Sequence, residues 1–178
     1  MTQVTLEQVL RAREERVLRQ QACLKEHRCP VVCFTMNIAG PVKTSPLIIR
    51  GFREGLRVLE ARLPADCVLS RQTEISDTGC ETIFSVQMKA AALKALCKDI
   101  EDSHPLGRLF DMDVLDPDAG KLSRGRHRGC IVCGEPGWQC AAGRRHGVPE
   151  LQAATHRILY DFFSGQREAE EFLEKERA

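Results

Sequence analysis

The stretch Gly107-Arg-Leu-Phe-Asp-Met-Asp-Val-Leu-Asp116 constrains the fold more than any other part of the chain. Successive side chains of a strand point to opposite faces. Phe110, Met112 and Val114 therefore share one face, and Leu109, Asp111, Asp113 and Leu115 share the other. The first face demands a core, while the second holds two carboxylates side by side. Acids that close repel each other unless a cation lies between them. Mg²⁺ takes oxygen ligands and shares them with substrate phosphates, and a carboxylate pair can clamp a transferring phosphoryl group through such ions. On the pair alone, the solvated face of a half-exposed strand is the simpler reading, so the surroundings must decide.

The preceding elements supply those surroundings. Residues 5–27 read as a helix, with Thr5 and Gln8 as a capping box. Its loose apolar stripe, Leu6, Leu10, Val17 and Leu24, suits a helix packed on the outside. Residues 31–39 alternate as a strand, with Val32, Phe34, Met36 and Ile38 inward. Ser45 is placed to cap a helix opened by Pro46, with Ile48, Phe52, Leu56, Leu59 and Leu63 on one face. Strands over 67–75 and 80–88 flank the turn-forming Ser76-Asp77-Thr78-Gly79. A helix over 90–102 turns Leu93, Leu96, Cys97 and Ile100 inward. Its terminal acids, Asp99, Glu101 and Asp102, oppose the helix dipole; they read as a solvated fray, with a neighbouring cation or basic partner as the alternative. The order strand, helix, strand, strand, helix, strand is the split βαβ pattern of ferredoxin-like domains. The expected class is α+β, a ferredoxin-like (βαββαβ) core with flanking N- and C-terminal helices and a Cys-rich basic loop. Phe34, Phe84 and Phe110 then face the helices. Thr35, Asn37, Ser85, Gln87, Asp111 and Asp113 gather on an open face, which favours the metal reading.

Between residues 121 and 146 stand Lys121, Arg124, Arg126, Arg128, Arg144 and Arg145 against one acid, Glu135. This basic zone suits an anionic ligand. The same segment carries Cys130-x₂-Cys133, then Cys140 and His146, which could supply four tetrahedral ligands to a structural Zn²⁺; packed free thiols are the competing expectation. Cys23, Cys29, Cys33, Cys67, Cys80 and Cys97 lack pairing logic and read as reduced, small buried residues. An amphipathic helix is expected over 149–163, a break at Ser164-Gly165, and a charged helical tail over 166–178. No segment resembles a leader or reaches the length of a membrane span, so the expected location is cytoplasmic.

His104-Pro-Leu-Gly-Arg-Leu-Phe-Asp-Met-Asp-Val-Leu115, Gly120-Lys-Leu-Ser-Arg124, Arg128, the Cys130–Cys133 pair, Cys140 and His146 together form a specific pattern. With His27, Val31-Val-Cys-Phe-Thr35 and Gly40-Pro-Val-Lys43 upstream, it resembles the citrate lyase holo-acyl-carrier-protein synthases, the apo-citrate lyase phosphoribosyl-dephospho-CoA transferases. The likeness runs roughly from Leu10 to Leu159. It implies a nucleotidyltransferase moving the phosphoribosyl-dephospho-CoA group from 2′-(5″-triphosphoribosyl)-3′-dephospho-CoA to a serine of the acyl-carrier (gamma) subunit of citrate lyase, with release of diphosphate. In that reaction Asp111 and Asp113 would hold Mg²⁺. Arg108, Arg124, Arg126 and Arg128 would offset phosphate charge, with Arg124 and Arg128 the clearest family matches. Lys43, after a Gly-Pro turn near a helix start, is a further phosphate ligand. His104 is a candidate base for the serine hydroxyl, or a residue that shapes the turn before Pro105. The chain then reads as one transferase domain, 1–178: core about 28–125, Cys/basic segment 121–148, C-terminal helices 149–178.

The alternatives differ in class. The element order and Asp-x-Asp are also similar to hydroxymethyldihydropterin pyrophosphokinases, a fold-level analogy that leaves the cysteine block unused. A zinc-stabilised nucleic-acid-binding module would use the basic stretch, but the net charge of +1 and the lone Trp138 and Tyr160 speak against it. A non-catalytic scaffold for citrate lyase would not depend on Asp111.

Overall fold

The computed structural model describes residues 2–125 and 127–176, with side chains through residue 166. Arg126, one of the expected phosphate ligands, lies outside the described residues. The elements in order are α1 (Leu6–His27), β1 (Val31–Met36), α2 (Pro46–Arg62), β2 (Val68–Ser76), β3 (Gly79–Val86), α3 (Ala90–Ser103), β4 (Phe110–Asp116), β5 (Gly120–Lys121), α4 (Gly137–Ala142) and α5 (Val148–Glu176). The strands form one sheet in the order β2-β3-β1-β4-β5, every neighbouring pair antiparallel. The fold is α+β: β3 lies between β1 and β2, and β4 returns on the far side of β1. No described helix is long and apolar enough to cross a membrane.

The register assigns each side chain to a face. Paired residues share a side, so Val32, Phe34, Phe84, Phe110, Met112 and Val114 form one layer, all essentially buried. α2, α3 and α5 cover it. Phe34 stacks on Phe52 at 5.0 Å between ring centroids and meets Phe110 edge-on at 5.3 Å. A methyl at Gly55 would lie 2.5 Å from the Phe34 ring, so glycine here lets α2 sit directly on the aromatic layer. Local signals set the helix starts. Thr5 and Gln8 complete the capping box on α1, and the Ser45 side chain accepts from Ile48 N–H at 3.2 Å at the start of α2.

The second face is not open. α1 lies across its β2–β3–β1 part, correcting the expectation of a peripheral helix and an exposed sheet. Cys23 packs with Val31, Cys33 and Ile83, and Gln72 Nε2 donates to Cys23 Sγ at 3.5 Å. Ion pairs complete the docking: Arg16 Nε lies 2.6 Å from Glu81 Oε2, and Arg19 reaches both Glu81 and Glu74. The apolar stripe is misleading because Leu6, Leu10 and Val17 are exposed. The inward face is instead Val9, Ala12, Arg13, Arg16, Gln20 and Cys23, at helical spacing but built from small and polar residues. Ser85, expected on the open side, is buried there with the Ser70 hydroxyl 2.9 Å away.

Two further expectations are corrected. The acids ending α3 are paired rather than frayed: Asp99 with Arg62 at 2.8 Å, and Glu101 and Asp102 with Arg124. The C-terminal region is one helix, α5, continuing through Ser164-Gly165. A helical glycine costs about 1 kcal/mol relative to alanine, which without a proline does not end a helix of this length.

Candidate functional site

β4 delivers the two acids to the face that α1 only partly covers. Thr35 pairs with Asp111, and Cys33 with Asp113, so the carboxylates border the edge of α1. Asp113 Oδ2 holds Lys121 Nζ at 2.6 Å. Burial would lower the Lys121 ammonium, but its bond to Asp113 and the charges of Asp113 and Asp111 raise it overall. Asp111 makes no ion pair among the described residues. Crowding by the surrounding protein, then the Asp113 charge, pushes its carboxyl up, although the side chain keeps a solvent-facing surface.

That surface opens into a recess of about 140 Å³. Thr35, Asn37 and Asp111 form its floor, with Lys43, Arg13 and Arg16 around it. Lys43 Nζ donates to Ile38 O at 2.6 Å; burial and the charge of Arg13 push its ammonium down. Cations this close repel one another and raise the local positive potential. A carboxylate beside clustered cations is the donor set for a metal-bound polyphosphate: oxygen for a hard divalent ion, and N–H donors for phosphate oxygens. The residues present fit Mg²⁺.

Three other expected phosphate ligands, Arg108, Arg124 and Arg128, bond to protein groups away from the recess. Glu101, its side chain only 4% exposed, pairs with Arg124 and accepts from Met112 N–H at 2.7 Å. Burial pushes its carboxyl up despite these partners. Arg128 donates to Phe110 O at 2.5 Å and to Gly107 O, and Arg108 Nε donates to Gly129 O at 2.8 Å. These three arginines staple the segment after β5 to α3 and to the start of β4. His104 sits on the helix side of the sheet, opposite Asp111. Its ring stacks on Phe110 at 5.2 Å, its Nδ1 accepts from Leu106 N–H at 3.0 Å, and its Nε2 lies 3.5 Å from Glu54 Oε1.

The cysteine block forms a compact cluster. Donor atoms of Cys130, Cys133, Cys140 and His146 all lie within 4.8 Å of one another. Cys133 Sγ is 3.5 Å from Cys140 Sγ and 3.2 Å from His146 Nε2. Tetrahedral zinc with Zn–S near 2.3 Å separates its ligands by about 3.7 Å, so small adjustments would seat an ion. A tight turn presents the first two thiols: Gly134 N–H donates to Cys130 O at 3.0 Å, with Gly134 at a φ of +77°. This cluster could bind a metal such as zinc. The remaining cysteines behave as core; burial pushes Cys33 and Cys80 up to about 11 and Cys97 to about 12, beyond easy thiolate formation.

The family model for apo-citrate lyase phosphoribosyl-dephospho-CoA transferase matches residues 4–162. The chain belongs to this family. A protein of that name from Citrobacter koseri is 35% identical over 165 residues, covering 89% of this chain and 90% of the relative. Similar proteins from Escherichia coli O1:K1 / APEC and O139:H28 are 35% and 34% identical over 164 residues, with the same coverage.

In this transferase-family chain, Arg13 and Arg16 line the candidate recess and are the lining cations that sequence reasoning missed. Their signal was present: with Val9 and Ala12 they fall at i, i+3, i+4 and i+7, one helical face. The exposed leucines of α1 concealed it.

Proposed function

We propose that this chain transfers the phosphoribosyl-dephospho-CoA group to apo-citrate lyase, with the recess at Asp111 as the catalytic centre. The observation that carries the reading is the meeting of Asp111, Lys43, Arg13 and Arg16 around one small cavity, within a chain that matches this transferase family over residues 4–162. The donor is the triphosphoribosyl precursor, and the acceptor is a serine of the acyl-carrier (gamma) subunit.

In the reaction the serine oxygen bonds to the phosphorus borne by the ribosyl 5″ oxygen. The bond from that phosphorus to the departing diphosphate breaks, and the serine proton passes to solvent or a base. Asp111 and Asp113 would hold Mg²⁺, which would supply positive charge beside the phosphate oxygens. Lys43 and Arg13 offset the charge that develops on the diphosphate, and Arg16, shared with Glu81, lines the same wall. Lys121 holds Asp113 in place and moderates repulsion within the acid pair. Arg108, Arg124 and Arg128 keep β4 and the following segment in register. His104 is assigned to the helix-side packing rather than to proton transfer. Zn²⁺ at Cys130, Cys133, Cys140 and His146 would close the cysteine segment as a structural knot, with Glu150, 4.0 Å from His146 Nδ1, orienting the ring.

The deciding experiment is the intact mass of the apo acyl-carrier subunit after incubation with this protein, the triphosphoribosyl precursor and Mg²⁺. The expected result is a mass gain of one prosthetic group, lost with EDTA and with Asp111→Asn. No gain with folded protein and competent substrates would overturn the proposal.

A further inference from the structure

A second cavity adjoins the catalytic recess. It encloses about 560 Å³ and shares Asn37 with the recess. Its walls are of another kind: Ala39, Ile131, Ala141 and Leu151 are apolar, and Arg144 and buried Thr155, whose hydroxyl donates to Leu151 O at 2.9 Å, add polar points. Cys130, Cys140 and His146 form one side, so the cysteine knot is a wall of this cavity.

We propose that this cavity binds the adenosine end of dephospho-CoA, with the cysteine knot shaping the pocket. The assignment rests on the transfer reaction above. The recess, at about 140 Å³, has room for phosphate groups but not for a nucleoside as well. A donor with its phosphates at Asp111 must continue past a residue that borders both spaces, and Asn37 does so. The volume lies in the range of small-molecule pockets, roughly 300–1,000 Å³, and a mostly apolar lining with a few polar points is what holds a flat heterocycle. Arg144 stands where the diphosphate of dephospho-CoA would leave the pocket. A comparably large hollow, of about 570 Å³, lies between α3 and the arginine staple. Its three arginines already have protein partners, with Arg124 on Glu101 and Asp102, Arg108 on Gly129 O and Arg128 on Phe110 O and Gly107 O, so they have less to offer an anionic ligand.

The test is titration calorimetry of the protein as isolated with two separate probes, dephospho-CoA and Mg²⁺-tripolyphosphate. Ala141 is exposed, so Ala141→Trp adds bulk at the wall without disturbing the core; Arg144→Glu reverses a charge at the exit. Both variants should weaken dephospho-CoA by about tenfold or more and raise KM for the donor in parallel, while Mg²⁺-tripolyphosphate binds as before. Asp111→Asn should do the reverse. Circular dichroism melting confirms that each variant is folded. The proposal is overturned if dephospho-CoA fails to bind the parent protein, or binds both wall variants with unchanged affinity. If dephospho-CoA binds as expected but the carrier subunit gains no mass, the cavity assignment stands and the transfer reading falls. If the wall variants modify the carrier and keep their full affinity for dephospho-CoA, the transfer reading stands and the cavity assignment falls.

Discussion

The recess at Asp111 and the staple at Glu101 contain the same ingredients, acids from β4 or α3 facing several arginines or lysines, yet they do different work. In the staple, Glu101 pairs with Arg124, Arg128 donates to Phe110 O and Gly107 O, and Arg108 donates to Gly129 O. In the recess, Arg13 and Lys43 border a cavity beside Asp111, and the environment disfavours the ionised forms of both Asp111 and Lys43. A set of charges that satisfies itself stabilises a fold. A set held in partial conflict stores affinity for a ligand that resolves it.

The largest expected effect follows from that contrast. Asp111→Asn should lower transfer about a thousandfold, the scale on which electrostatic groups act at a reacting centre, while leaving the melting temperature at pH 7 unchanged or higher. The sign follows from linkage. A carboxyl whose folded pKa lies above its unfolded value near 3.8 favours the folded state most when protonated, and loses that contribution as pH rises through the folded pKa. At neutral pH the ionised group therefore opposes folding, and Asn removes the opposition. The advantage of the variant should shrink as melting is followed from pH 7 towards pH 4. A clear fall in melting temperature at pH 7 would break the comparison, because Asp111 would then be structural like Glu101.

Glu101→Ala should produce the mirror image. Removing one member of a buried pair leaves its partners unsatisfied, at a cost of roughly 3–5 kcal/mol. Urea unfolding should show that loss, with the kcat/KM of the remaining folded protein lowered far less than by Asp111→Asn. A variant that is fully stable but inactive would move Glu101 from the staple into the catalytic machinery.

These two residues also show how far the sequence could be read. The alternation of β4 placed Phe110, Met112 and Val114 in the core and the acids opposite, because a period of two leaves no other choice for a strand with one buried face. Ser45-Pro46 and Thr5 with Gln8 marked helix starts through local hydrogen bonding, and the four residues of the Cys/His cluster were legible from spacing. What escaped was determined by tertiary partners. Glu101 and Asp102 meet Arg124 across 23 and 22 positions of sequence, and periodicity carries no information about such pairs. α1 docks through Arg16, Arg19, Gln20 and Cys23, a face without the leucines that hydrophobic patterning looks for. His104, Arg124 and Arg128 have residue types suited to catalysis, but which groups they bond in the fold depends on where the acceptors lie.

A smaller effect should come from the cysteine cluster. Cys133→Ser removes one of four donors, so elemental analysis should find about one zinc per parent chain and far less in the variant. The variant should melt lower and be more easily cleaved within residues 130–147, while the sheet keeps its stability. Metal-free parent protein with unaltered melting would mean that the cluster is a set of packed thiols.

The finest distinction is between two arginines. Arg13→Ala should reduce kcat/KM about tenfold, near 1.4 kcal/mol, and change stability by no more than about 0.5 kcal/mol, as expected for a side chain that bonds little in the folded protein. The deficit should appear as weaker binding of Mg²⁺-tripolyphosphate. Arg124→Ala should lose stability and leave that affinity unchanged, since its guanidinium is held by Glu101 and Asp102. The same deletion of the same side chain would then register in binding at one position and in folding at the other. If the two variants instead behaved alike, the recess and the staple would be parts of one electrostatic network, coupled through Arg128, whose charge reaches both Glu101 and Asp111. A double-mutant cycle between Arg13 and Arg124 would measure that coupling, and a value near zero is what separate regions require.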